Sequence, residues 1–379
     1  MLHIPPTLLG LASLEEAIIF QPQKKTPSST RSATVRTSTL RTISSDVPKY
    51  EKNIRVALDL HRTSNAQSLL QDINTDIQDL ECLEGQARGD FLSRVRELMV
   101  SNGLLATKIV KDQGQFALAY VYANNAVRVA KRMEDEELLA VAKYTRGCTK
   151  LEWGLFGNRQ QGVFQIDRDH VKDAIRDFQA ILQHAGPQQE VIHPQLHGFT
   201  LLQLSRAQSF FKQTVHEPVS ANTLLLADQA AEMVGRNTID DSYTRMITTG
   251  TLSGLHAGGY HLIKAGIFNA AGLPGKAITE LQDLKKLTER TYGQDETRNQ
   301  AWSDIALAEA FLGLRRYEDA IKKAKEALVA CHHIHLMQNV AIITDLSRRI
   351  AASPYGKSHD VNELGEMLSG WYDISSERE

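Results

Sequence analysis

Histidines offer the most chemistry in this chain. His193 and His197 in HPQLH are four residues apart, a spacing that on a helix lets two imidazoles share a metal. No glutamate follows the first histidine as an HExxH site requires, and Pro194 marks a helix start. His332, His333 and His335 fall at the end of a predicted helix, where such side chains favour the last carbonyls. His256 and His261 flank Tyr260 in a patch able to contact a ligand. Cys148 is a candidate thiol nucleophile, but no histidine stands at a spacing that argues for its activation. There is no GxxxxGK[ST] loop and no GxSxG elbow, and the glycine-rich AGGYH and AAGLPG lack the preceding strand of a dinucleotide fold. Carboxylates such as Asp135, Glu136 and Glu137 read as solvated helix surface. The residues therefore point away from an enzyme and call for neither a metal nor another cofactor.

The bulk of the sequence narrows the remaining classes. Its 379 residues, 42% hydrophobic, can bury a large apolar interior in two globular domains or one elongated array. A formal net charge of -2 excludes a strongly basic nucleic-acid-coating protein and an acidic solvating tail. Cys82, Cys148 and Cys331 are odd in number, far apart and outside any CxxC spacing, so neither a disulfide framework nor a zinc site is indicated and a reducing cytoplasm fits. No stretch approaches the roughly 18 uninterrupted apolar residues of a membrane span. HLIKAGIFNAAG, for example, is broken by Lys264 and Asn269.

Four stretches follow from composition. Residues 1–20, MLHIPPTLLGLASLEEAIIF, are apolar but lack the basic leader and cleavage site of a signal peptide. Residues 21–46 are dominated by Ser, Thr and Pro, carry Lys24, Lys25, Arg31, Arg36 and Arg41, and read as a disordered basic linker; a phosphate-contacting arm and a transit peptide are the alternatives. Residues 47–353 show helical periodicity, with breakers at short intervals from Gly85 to Gly293. Residues 354–379 form a capping helix and tail after Pro354.

Regular punctuation of a helical chain invites a search for repeats. The clearest unit is AWSDIALAEAFLGLRRYEDAIKKAKEALVACHHI, residues 301–334. Leu307, Ala308 and Phe311 share one face of its first helix; Tyr317, Ala320, Ile321, Ala324, Ala327 and Leu328 share one face of its second. This resembles the tetratricopeptide pattern, with Ala308, Ala320 and Ala327 at the small-residue places that let antiparallel helices approach. Trp302 stands two residues before the family's early tryptophan place, which holds Asp304. Ala265, Phe268, Ala277, Ile278, Leu281 and Leu284 repeat the signature upstream, as do Ala119, Ala123 and Ala126. In EELLAVAKYTRGCTKLEWG, Gly147 and Gly154 mark a first helix and its turn, but the partner helix DHVKDAIRDFQAIL follows only after an insertion at 155–168. Residues 48–83 and 195–235 are further pairs. The resemblance implies an all-α, tetratricopeptide-like α-solenoid: a right-handed superhelix of antiparallel helix pairs, in which each pair buries its apolar face only against its neighbours.

The run IPPTLLGL at the N-terminus resembles the last helix of lambda-repressor-type helix-turn-helix domains, with Leu2, Ile4, Leu8, Leu9 and Leu11 as core residues; an N-terminal docking helix is the alternative. SPYGKS at 353–358 looks like the link before the closing helix in bacterial regulators that join such a head to a tetratricopeptide sensor. The resemblance implies the sensor part of a transcriptional regulator, truncated or derived from one whose head was lost. No sequence-specific DNA binding is expected from this chain alone, since a lone final helix supplies nothing to read base edges.

The tetratricopeptide resemblance also places ligands on the first helices, along a concave face. Carried onto this sequence, those places are Lys108, Lys111, Tyr144, Glu152, Gln208, Lys212, Asn269, Trp302 and Glu309. The mixture suits an extended peptide, held by Lys or Asn at its polar groups and by Tyr or Trp at its apolar ones. The expected function is non-enzymatic peptide or protein binding in the cytoplasm, with room for a homodimer. The alternative is a constitutive assembly scaffold without a regulatory ligand.

Overall fold

The computed structural model describes residues 47–63, 67–158, 165–184, 192–234, 257–291, 297–334 and 336–376. All of them belong to one unit, Ser45–Glu379. The segments read as 1–20 and 21–46 lie outside the described residues, as does the middle of the 155–168 insertion.

The chain is all-α, with fourteen α-helices and no strand among the described residues. The first half contains α1 (Val47–Thr63), α2 (Leu70–Glu84), α3 (Gly89–Asp112), α4 (Phe116–Lys131), α5 (Glu136–Phe156), α6 (Arg168–His184), α7 (Pro194–Thr214) and α8 (Ala221–Val234). The second contains α9 (Ala257–Ala270), α10 (Pro274–Thr291), α11 (Thr297–Gly313), α12 (Tyr317–Ile334), α13 (Met337–Ala351) and α14 (His359–Ser376). None of these helices is long and apolar enough to cross a membrane.

From α3 to α12, odd-numbered helices pair with the even-numbered helix that follows. Four of these hairpins turn in the same way. A residue after the first helix adopts left-handed φ: +75° at Gly114, +56° at His216, +70° at Gly272 and +60° at Arg315. The next N–H then reaches back five residues, from Gln115 to Val110 O (3.0 Å), Glu217 to Lys212 O (3.0 Å), Leu273 to Phe268 O (2.8 Å) and Arg316 to Phe311 O (2.9 Å). This Schellman bond satisfies a carbonyl that the helix end leaves open and reverses the chain within a few residues.

Small side chains set the distance within pairs. Ala119, Ala123 and Ala126 in α4 are buried, as are Ala265 with Ala277 and Ala308 with Ala320 and Ala327. Phe268, Leu281 and Leu284 fill the space between successive pairs with Ala306 and Ala310 of α11. Asp304, at the place where the tetratricopeptide pattern has its tryptophan, is 2% exposed and is held by Lys323 Nζ and Gln300 Nε2, both at 2.9 Å. Gly154 does not end its helix, because α5 continues to Phe156. A Cβ there would lie 2.9 Å from both Asp167 O and Val171 Cγ2, so glycine serves the close return of the chain onto α5.

A cation on an odd-numbered helix repeatedly ties the even-numbered helices on either side. Arg96 of α3 binds Glu84 of α2 (2.7 Å) and the Arg132 carbonyl after α4 (3.1 Å). Arg146 of α5 forks onto Asp177 of α6 (2.9 and 2.7 Å) and reaches Asn124 of α4 (2.9 Å). Lys264 of α9 lies 3.2 Å from both Asp228 of α8 and Glu280 of α10. Such bridges fix the register of successive pairs, which alanine ridges alone leave free to slide.

The odd-numbered helices from α3 to α13 also contact one another in order, forming an inner layer. That layer closes on itself, since α13 packs on α3 and α5 while α11 touches α1. The terminal helix α14 lies on α12 and α13, burying Val361, Leu364, Leu368 and Trp371.

Candidate functional site

The closure of the inner layer brings polar groups together. Lys111, in the last turn of α3, places Nζ 2.8 Å from Glu152 Oε2 of α5. Gln338, at the start of α13, donates from Nε2 to the same oxygen at 3.2 Å. Beside them Arg298 of α11 forms a 2.5 Å ion pair with Asp112 of α3. The four helices α3, α5, α11 and α13 meet here through side chains that are far apart in sequence. The Phe156 and Trp302 rings, with centroids 6.5 Å apart, form an apolar contact between α5 and α11.

Helical spacing continues the site along α5. Cys148 and Tyr144 precede Glu152 by one and two turns, so all three share a face. Tyr144 is buried against Phe178, with centroids 6.1 Å apart. Burial pushes the Cys148 thiol up to about 12, against the lowering pull of Lys111. It is a protonated, poorly nucleophilic group at neutral pH. Burial also disfavours the Lys111 ammonium, but Glu152 outweighs that penalty and holds its pKa above the ordinary lysine value. Lys111 and Glu152 are thus a charged pair, whose removal from water is offset by mutual attraction and by the Gln338 hydrogen bond.

The other residues expected on the inner face divide among four places. Lys108 is half-buried, a near-turn before Lys111 on α3. Gln208 and Lys212 line a cleft of about 410 Å³ between α7 and α8, together with Phe211 and Asn222. There Gln208 Oε1 accepts from Thr223 Oγ1 at 3.2 Å, and Lys212 pairs with Glu217. Asn269 donates to Ala306 O at 2.9 Å and so joins α9 to α11. Glu309 is half-buried in α11. Lys111, Glu152 and Trp302 therefore lie at the closure, Tyr144 packs against α6, and Gln208, Lys212 and Asn269 serve hairpin and helix junctions.

Among the described residues the histidines take local roles, and His256 and His335 lie outside them. His193 caps α7, its Nδ1 accepting from Gln195 N at 3.2 Å. His197, a turn later, has its pKa lowered by burial. His261 Nδ1 lies 2.8 Å from Glu280 Oε2, within the Lys264 clamp. His332 stands edge-on to Trp371, with centroids 5.0 Å apart. No group of three or more potential metal ligands occurs among the described residues.

Asp112, Arg298, Gln338 and Asn339 were not expected at the site. The last two form a pair of carboxamides in the otherwise apolar LMQNVAII, and that local oddity was their only signal. Asn339 is 1% exposed, with the weak Cys331 thiol beside it and no geometrically adequate partner for either amide atom.

No protein-family model matches the chain, and no curated protein matches its sequence.

Proposed function

We propose that this chain is a non-enzymatic peptide- or protein-binding module built as a tetratricopeptide-like right-handed superhelix, working in the cytoplasm. The observation that carries this reading is the Lys111–Glu152–Gln338 cluster on the inner faces of α3, α5 and α13. Apolar side chains would pack the same space without the desolvation cost of a buried ion pair. A lysine, a glutamate and carboxamides facing inward supply the donors and acceptors that an extended main chain needs. The recurrent Schellman turns and buried alanine ridges support the superhelix. The IPPTLLGL and SPYGKS resemblances support a sensor role in a lambda-repressor-type regulator.

The test is selection of short random-sequence peptides on the purified chain, followed by affinity measurement against Lys108→Glu/Lys111→Glu. Selected peptides should bind the parent at micromolar Kd and lose at least tenfold in the double variant. Glu152→Gln, which keeps a hydrogen-bonding shape, should lose less. Unchanged affinity in a folded double variant contradicts the inner-wall site.

A further inference from the structure

We propose that the polar seam joining α11 and α13 to α3 and α5 is a latch that competes with ligand for the inner wall. The proposal rests on the binding reading above and adds its regulation. Its basis is a contrast in how the inner helices meet. Neighbouring inner helices share buried apolar packing, as where Phe268 meets Ala306 and Ala310, beside polar links such as Lys111–Glu152 and Asn269–Ala306 O. Across the seam the hydrogen-bonded links are Asp112–Arg298 and Glu152–Gln338, each spanning 186 residues of sequence, beside the Phe156–Trp302 ring contact. Apolar surfaces resist separation because water gains nothing from them. Charged and amide groups regain hydration when parted, so these polar links cost less to separate than an equal area of buried apolar surface.

A polar group beside the seam is left poorly satisfied. The Asn339 carboxamide next to Gln338 is buried with neither of its atoms adequately hydrogen-bonded.

Opening defines what a ligand must bring. Separation of α11 and α13 from α3 and α5 takes Arg298 from Asp112 and the Gln338 amide from Glu152, while Lys111 stays paired with Glu152 across α3 and α5. A replacement must present a cation to Asp112, a donor to Glu152, and acceptors to Arg298 and Gln338. An extended peptide carrying one arginine or lysine side chain meets all of these with its own main chain. Differential affinity for the open form is what lets such a ligand shift the equilibrium.

The experiment combines small-angle scattering of the full chain with titration of two random peptide pools, one with a fixed arginine and one without arginine or lysine. Arg298→Glu, which breaks the ion pair and leaves Asp112 to receive the ligand's cation, should increase the radius of gyration and raise the apparent affinity for the arginine pool at least fivefold if closure limits binding. Asp112→Lys/Arg298→Glu, which restores the pair with its charges exchanged, should return the radius of gyration to that of the parent. Arg298→Gln with Gln338→Ala provides a charge-neutral opening if the reversal does not fold. An unchanged radius in both folded openers overturns the latch, as does a double reversal that stays as open as the single. An opened chain with unchanged peptide affinity overturns the competition. Opening and reclosing without any peptide binding by any variant sinks the binding reading and leaves the mechanical latch intact.

Discussion

Arg298 Nη1 and Asp112 Oδ2 lie 2.5 Å apart although 186 residues separate them in sequence, and this ion pair joins the start of α11 to the end of α3. Each side chain is 18% exposed, so the pair is neither solvated surface nor sealed core. A helical array whose late members return to its early ones has a shared interior, and the polar residues of that interior are where substitutions should be most informative.

Gly147 tests the tightest packing of α5 on α6. A Cβ at this position would lie 2.7 Å from the Phe178 ring, and Phe178 is fully buried. Gly147→Ala should destabilise the chain by about 1–3 kcal/mol through overpacking. Gly266 in α9 has nothing within 4 Å of the same construction, so Gly266→Ala should be stabilising by roughly 0.5–1 kcal/mol. Chemical denaturation of both variants measures the difference, and equal effects contradict the packing.

The Arg146 clamp predicts a loss that spans two helix pairs. Arg146→Met removes the fork onto Asp177 and the hydrogen bond to Asn124, leaving Lys150 at 3.0 Å from Asp177. Because Lys150 still neutralises the carboxylate, the cost should be about 1–2 kcal/mol rather than that of a fully orphaned charge. Adding Lys150→Met should cost more than the sum of the single changes in a double-mutant cycle.

His197 gives stability a defined pH dependence. Burial lowers its pKa from the ordinary 6.5, so below that value the unfolded chain takes up the proton more readily than the folded one. The stabilising contribution is present above pH 6.5 and is lost as pH falls through the folded pKa. His197→Gln should flatten the stability profile just below pH 6.5. An unchanged profile in urea titrations over that interval contradicts the assignment.

Thiol labelling distinguishes surface from interior. Cys82 is exposed, while Cys148 and Cys331 are buried and held at about 12 by that burial. A disulfide reagent at neutral pH should modify Cys82 rapidly and the other two only on denaturation. Fast modification of Cys148 in the folded chain contradicts a closed inner layer.

How much of this was legible in sequence depends on the range of the signal. Ala308, Ala320 and Ala327 could be read because small residues at helical spacing encode a close approach within a single hairpin. The turns at Gly114 and Gly272 were marked by glycine, but His216 and Arg315 adopt the same left-handed conformation without one. Gly154 misled the reading of α5 because glycine signals close approach as readily as a turn. Lys111 and Glu152 were both placed on the inner wall, yet their pairing and their partner Gln338 were invisible. No local periodicity records which distant helices meet when an array closes.

Hydrogen exchange of the full chain, with and without a selected peptide, tests the central claim most directly. Binding at the inner wall predicts slowed exchange at the C-terminal turns of α3 and α5 and at the first turns of α11 and α13, around Lys111, Glu152, Arg298 and Gln338. Protection confined to the even-numbered helices, with those turns unchanged, would contradict it.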